Sequence, residues 1–153
     1  MKYFELKIPP LLLAILFAIA MFFAAGYLPT VSMSDTLSLG LALLSLLLGM
    51  VFCIAGVAEF KRHQTTVDPR FPEKVSSLVS GGIYKFSRNP MYVGFALFLL
   101  ALVFLLNSPV LVIGVFGFVL YMNRFQIVPE ELMLKKLFGD QYQRYQERVR
   151  RWL

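Results

Sequence analysis

Three long stretches of the chain carry no charged residue. Two of them, residues 11–28 and 37–58, are each near the length a helix needs to cross the hydrocarbon core of a bilayer. The third, residues 89–123, continues for 35 residues. As one straight helix it would reach about 50 Å against a core of roughly 30 Å. Asn107, Ser108 and Pro109 supply a turn in its middle, so this run predicts a tight helical hairpin. The pattern therefore places spans at about 11–28, 37–58, 90–106 and 110–127. The expected fold is an all-α integral membrane protein with about four transmembrane helices. It forms a single membrane-embedded domain over 1–153, with a cytoplasmic loop at 59–89 and an interfacial amphipathic helical segment at 129–153.

Local signals sharpen these boundaries. Pro9 and Pro10 open the first helix, and Gly26 with Pro29 closes it. Asn89 is a suitable N-cap and Pro90 a suitable first residue, so the third span starts there. Ser45, Gly49 and Cys53 recur every four residues, a small-residue stripe that lets another helix approach closely. Pro129 fits the first turn of a new helix, with Glu130 and Glu131 where the dipole favours acids. Gly139 ends that helix and Asp140 caps the next. On the last helix Tyr142, Tyr145, Val149 and Trp152 share a face, while Arg144, Arg148 and Arg151 occupy others. Such a helix is expected to lie in the membrane interface with its aromatic face down and its arginines toward phosphates.

Composition supports the same class, with 58% hydrophobic and only 16% charged residues. The charge distribution adds orientation. All fifteen Lys and Arg residues fall in the N-terminus, in 59–88, or from Arg124 onward, and none lies in the linkers 29–36 and 107–109. The positive-inside rule makes the basic side cytoplasmic, with both termini and the candidate site on it. The net charge of +6 then points to a bilayer with anionic headgroups as partner, not to nucleic acid. The first span has the flanks of a signal peptide, but three further spans favour an uncleaved anchor. The single Cys53 excludes a disulfide framework and a cysteine-zinc cluster. The lone His63 forms no metal site and reads as a headgroup-level loop residue.

The junction "SLVSGGIYKFSRNPMYVG", residues 77–94, carries more than a helix start needs. Gly81 and Gly82 permit a sharp turn. The N-terminus of the third span, beside Arg88, suits a carboxylate or phosphate. Tyr84 and Tyr92 offer rings that stack on a base or face a cation. Gly94 leaves room for an approach to the helix. A capped helix with interfacial Tyr and Arg explains the same residues, and from physics alone both readings stay open.

The order of motifs decides between them. "LVSGGIYKFSRNPMYVG", followed after a hairpin by "EELMLKKLFGDQYQRYQERVRRWL", resembles the isoprenylcysteine carboxyl methyltransferase family, which belongs with the phospholipid methyltransferases. The shared pattern is Leu-Val-x-x-Gly-x-Tyr, then Arg-His/Asn-Pro-x-Tyr-x-Gly, then Glu-Glu, Phe-Gly-x-x-Tyr-x-x-Tyr and a basic end. Residues 76–153 follow it, whereas the first two spans match only in being apolar. The resemblance implies a membrane enzyme that takes a methyl group from S-adenosylmethionine. By position it implies a cofactor pocket formed by Ser76, Ser77, Leu78, Val79, Tyr84, Asn89, Pro90, Met91 and Tyr92, closed by Glu130. Asn89 stands where eukaryotic members have His. Gln126 stands where they have an Arg associated with the methyl acceptor, with Arg124 two residues earlier. Arg124 and Gln126 are thus candidate contacts to a lipophilic acceptor whose identity stays open.

The chemistry agrees with a chain that offers no metal cluster and no covalent nucleophile. Methyl transfer from a sulfonium is an in-line displacement that needs positioning and exclusion of water. A carboxylate acceptor needs no base and would be held by Arg88 or Arg124. An amine acceptor must lose a proton, for which Glu130 and Glu131 are the candidates. Two other classes remain: a sterol-reductase-like enzyme holding NADPH through Lys61, Arg62 and Arg70, and a non-catalytic four-helix scaffold.

Overall fold

A computed structural model describes residues 5–63 and 77–153. Residues 64–76, which include Arg70 and Ser76, lie outside the described residues. Among those described there is no strand. The elements are α1 (Pro10–Ala25), α2 (Asp35–Arg62), a 3-10 turn (Gly82–Lys85), α3 (Pro90–Leu105), a second 3-10 turn (Pro109–Leu111), α4 (Val112–Tyr121), a π-helical segment (Met122–Ile127), α5 (Val128–Phe138) and α6 (Asp140–Arg148).

Each boundary has a local cause. Pro10 and Pro90 occupy first turns, where a missing N–H costs nothing. Ser34 caps α2 by accepting a hydrogen bond from the Leu37 N–H at 3.4 Å. That helix runs on to Arg62, past the loop start expected at residue 59, and His63 is its C-terminal cap residue. The hairpin turn falls where expected, with Asn107 at a positive φ of 48°. The Val31 N–H donates to the Asn107 carbonyl at 2.8 Å, and the Ser108 hydroxyl donates to the Pro29 carbonyl at 2.9 Å. The two linkers without basic residues therefore meet at one end of the bundle.

The break expected before Pro129 is absent: the backbone stays helical from Pro109 to Phe138. Proline has no N–H to give, so the Phe125 carbonyl four residues back loses its α-helical donor. The chain widens there into a π-helical segment, and the Leu6 N–H donates to the Phe125 carbonyl at 3.1 Å. A π-turn of this kind absorbs one residue without ending the helix.

Helix α3 lies at the centre and packs on α1, α2 and α4. Its crossing with α2 is set by glycines. A Cβ on Gly94 would collide with Cys53 Sγ and stand 2.7 Å from the Gly49 carbonyl oxygen. A Cβ on Gly49 would meet the Phe98 ring at 2.5 Å. The space beside Gly94 is thus filled by the α2 backbone, and the stripe Ser45, Gly49, Cys53 is the packing face. Leu13, Met21, Leu99, Val103, Phe118, Met122 and Ile127 form the apolar core around α1, α3 and α4.

The outer faces are apolar too. Leu37, Leu44, Val51 and Ile54 on α2 are exposed, as are Ile15, Phe22 and Phe23 on α1 and Ile113, Phe116 and Leu120 on α4. Asp35–Arg62 and Pro109–Phe138 are long and apolar enough to cross a membrane, and two shorter apolar helices accompany them. Water does not tolerate patches of this extent, so the surface fits a membrane protein.

The α2–α3 crossing makes a paired prediction. Gly94→Val is expected to destabilise the protein by about 3 kcal/mol or more through overpacking against backbone. A Cβ on Gly40 has no atom within 4 Å, so Gly40→Ala is expected to be neutral or stabilising by up to about 1 kcal/mol. Thermal unfolding of both variants in detergent measures the difference.

Candidate functional site

At the end of the bundle opposite the two short linkers, the junction folds over the start of α3 and leaves a cleft. Phe60 of α2, Leu78, Val79 and Tyr84 of the junction, Met91 and Tyr92 of α3, Leu134 of α5 and Tyr142 of α6 are among its walls. The cleft is open at its mouth, and the space within and just outside it comes to about 860 Å³.

The sharp turn is built against α2. Gly82 has a positive φ of 51°, and a Cβ there would collide with the Glu59 carboxylate, so only glycine fits both the angle and the space. Glu59 is 8% exposed and pairs with Arg62 at 3.2 Å. The Phe60 and Tyr84 rings pack edge to face at 5.5 Å. From the other side, the Tyr145 hydroxyl donates to the Tyr84 carbonyl at 2.7 Å. Burial pushes the Tyr84 and Tyr145 hydroxyls well above the usual phenol range, and Tyr142 to about 12. All three therefore stay neutral near physiological pH.

Deeper in the cleft Glu130, 8% exposed, accepts on one oxygen from the Tyr92 hydroxyl at 2.7 Å and from Gln126 Nε2 at 2.6 Å. The neighbouring carboxylate differs. Glu131 takes Arg88 Nη2 at 2.8 Å and a two-pronged contact from Arg151, 2.9 Å from Nε and 2.7 Å from Nη2. That fork raises the Arg151 pKa further above its already high value. Arg88 Nε is buried with no partner among the described residues.

Ser77, Leu78, Val79, Tyr84, Arg88, Asn89, Met91, Tyr92, Glu130 and Glu131 are all brought to the cleft. Pro90 is buried behind it at the helix start. Gln126 reaches it only through Glu130, and Arg124 is exposed and lines no part of it. Ser76 lies outside the described residues. Among the described residues no group of three His, Cys, Asp or Glu side chains is placed to hold a metal.

Three expectations need correction. Asn89 does not cap α3 with its side chain: its Nδ2 donates instead to the Arg151 carbonyl at 2.9 Å. Ser87 Oγ receives the Asn89 N–H at 3.1 Å. The aromatic face of the last helix packs on the protein rather than facing lipid. Tyr142 and Tyr145 are buried with Val79 and Tyr84, α6 ends at Arg148, and the Trp152 indole donates to Asn123 Oδ1 at 2.9 Å. Gly139, not Asp140, is the cap residue of α6. Sequence reasoning missed Glu59 and Phe60 as part of the site, and read Tyr142, Tyr145 and Arg151 as membrane contacts. The tyrosine spacing was visible, but an amphipathic face does not say what covers it.

The described residues are all-helical, with apolar outer faces and a polar-floored cleft at one end of the bundle, which fits a membrane protein. The chain belongs to the phospholipid methyltransferase family, whose match covers residues 37–141, more than half of its length. It is also similar to an uncharacterized protein of Haemophilus influenzae, 46% identical over 63 residues, which are 41% of this chain and the whole of that protein. No solved structure matches the chain.

The junction's attachment makes a prediction. Tyr145→Phe removes the donor to the Tyr84 carbonyl and is expected to cost about 1–3 kcal/mol locally. Hydrogen exchange should rise at Tyr84 and Phe86, whose N–H groups close the 3-10 turn, and stay unchanged in α1.

Proposed function

We propose that the cleft binds S-adenosylmethionine and that the protein transfers its methyl group to a lipophilic acceptor. The acceptor is an isoprenylcysteine-type carboxylate or a lipid amine. The observation that carries this reading is the buried cluster of Tyr92, Gln126 and Glu130 beside aromatic walls, in a chain whose family is that of phospholipid methyltransferases. The donor set fits the cofactor. Arg88 Nε, a buried donor without a partner among the described residues, suits its carboxylate. Glu130 offers acceptors for hydroxyls, and Tyr84, Tyr92 and Phe60 offer faces for a flat base and a cation.

Bound there, S-adenosylmethionine would supply an already activated methyl carbon. The protein's own contribution is then geometry. Tyr92 and Gln126 hold the Glu130 carboxylate, and the apolar walls exclude water. Where the acceptor is an amine, Glu130 is the residue to take its proton. Glu131 does not suit that role, because Arg88 and Arg151 already occupy both its oxygens.

We further read α1, α2, α3 and the helix from Pro109 as four membrane spans. The end with linkers 29–36 and 107–109 has no Lys or Arg, and the cleft end carries the basic residues. The cleft then faces the cytoplasm, among anionic headgroups.

The purified protein is expected to bind S-adenosylmethionine with a dissociation constant on the order of micromolar. Glu130→Gln and Tyr92→Phe should each weaken binding about tenfold, the scale of one strong hydrogen bond. Calorimetry reads this, and incubation with methyl-labelled cofactor and host lipid extract identifies the acceptor. Wild-type binding by both variants, or preferential binding of NADPH, would refute the assignment.

A further inference from the structure

Residues 149–153 turn back across the mouth of the bundle after α6 ends. The Arg88 N–H donates to the Arg150 carbonyl at 3.0 Å. The Arg151 carbonyl accepts from Asn89 Nδ2 at 2.9 Å and from the Ser87 hydroxyl at 3.5 Å. These contacts attach one edge of the segment to the residues just before α3. The other edge is attached to the helix that follows the hairpin. Arg151 forks onto Glu131 of α5, and Trp152 Nε1 reaches Asn123 in the π-helical segment.

No residue of 149–153 lines the cleft. Yet the strap's two attachment sites adjoin the two halves of the polar cluster. Asn89 lies one turn before Tyr92, and Glu131 is next to Glu130. Between these two helix starts the Tyr92 hydroxyl sits 2.7 Å from Glu130. The strap's contacts also run inward, since Arg151 is spent on Glu131 and the Trp152 indole on Asn123.

We propose that Arg151 is a positioning residue: the 149–153 strap clamps the start of α3 to the start of α5 and so sets the Tyr92–Glu130 geometry, without touching cofactor or acceptor. This rests on the methyltransferase reading, and it makes Asn89 a latch for the strap as well as a residue of the cleft. It also gives Glu131 a role as the strap's receptor.

The test uses the full chain in lipid nanodiscs. Arg151→Ala is expected to weaken S-adenosylmethionine binding about tenfold, the order of one charge-assisted fork. Arg151→Lys should recover part of it, because an ammonium keeps the charge but not the fork. In a Glu131→Gln background the same alanine change should add less than about threefold, since both remove one contact. A loss from general unfolding would show neither the lysine rescue nor the non-additivity. Hydrogen exchange without cofactor should rise together at residues 92–93 and at 128, 130 and 131 in Arg151→Ala and stay unchanged in α1. If wild type binds no cofactor while this joint loosening occurs, the functional reading fails and the clamp stands. Trp152 is the chain's single tryptophan, so quenching of its emission by acrylamide reports strap release directly, and Arg151→Ala should increase it. Should Arg151→Ala fail to fold, Trp152→Phe replaces it, with binding expected to fall about threefold or more. Binding within twofold of wild type, or unchanged exchange at both helix starts, in the variant that folds would overturn the proposal.

Discussion

Where Gly49 meets Gly94, two helix backbones come together with no side chain between them. The support beneath the cleft's roof depends on that crossing. From it the same face of α2 continues toward the cleft. Cys53 Sγ lies 3.6 Å from the Met91 carbonyl, Gly56 admits Met91, and one turn on come Glu59 and Phe60. A wider crossing would withdraw Glu59 from under Gly82 and Phe60 from the Tyr84 ring. The turn that forms the cleft's roof would then lose its support. In a bilayer, close packing of small residues holds helices together, because burying apolar surface gains little there.

The second constraint is the treatment of two adjacent acids. Successive residues on a helix point about 100° apart, so Glu130 and Glu131 face different surroundings. Glu131 meets two guanidiniums at the rim and is held by charge. Glu130 points inward and meets a phenol and an amide. One carboxylate thus serves as a fastening between elements, and the other lines the cleft. The π-helical segment contributes by placing Gln126 one turn before Glu130 while Asn123 reaches Trp152.

The apolar helices were legible because a run without charge has few alternatives, and their ends were legible where proline or serine marks them. The continuation through Pro129 was not legible, because the rescue of the Phe125 carbonyl comes from Leu6, far away in sequence. The aromatic face of the last helix was visible as a pattern and misassigned as to partner. Periodicity shows that Tyr142 and Tyr145 seek burial, but lipid and a protein loop satisfy that demand equally well. Glu59 gave no signal at all. An acid at the end of an apolar helix reads as a solvated residue, and only the neighbouring Gly82 backbone shows why it is buried. The residues of the junction were gathered into one cleft largely through their motif order, since spacing alone left a capped helix equally acceptable.

Asn89 and Gln126 are two places where the motif departs from the pattern that the resemblance implies for eukaryotic members. In this structure each is an amide whose N–H satisfies an acceptor inside the protein, the Arg151 carbonyl for Asn89 and the Glu130 carboxylate for Gln126. An imidazole can donate one N–H much as an amide does, so a histidine at position 89 is compatible with the same latch. Titration is therefore not what position 89 requires. An arginine at position 126 would instead bring a full positive charge beside Glu130, in a cleft where burial amplifies charge. The neutral amide keeps the hydrogen bond and omits that charge. Of the two departures, only the one at Gln126 changes the charge beside Glu130.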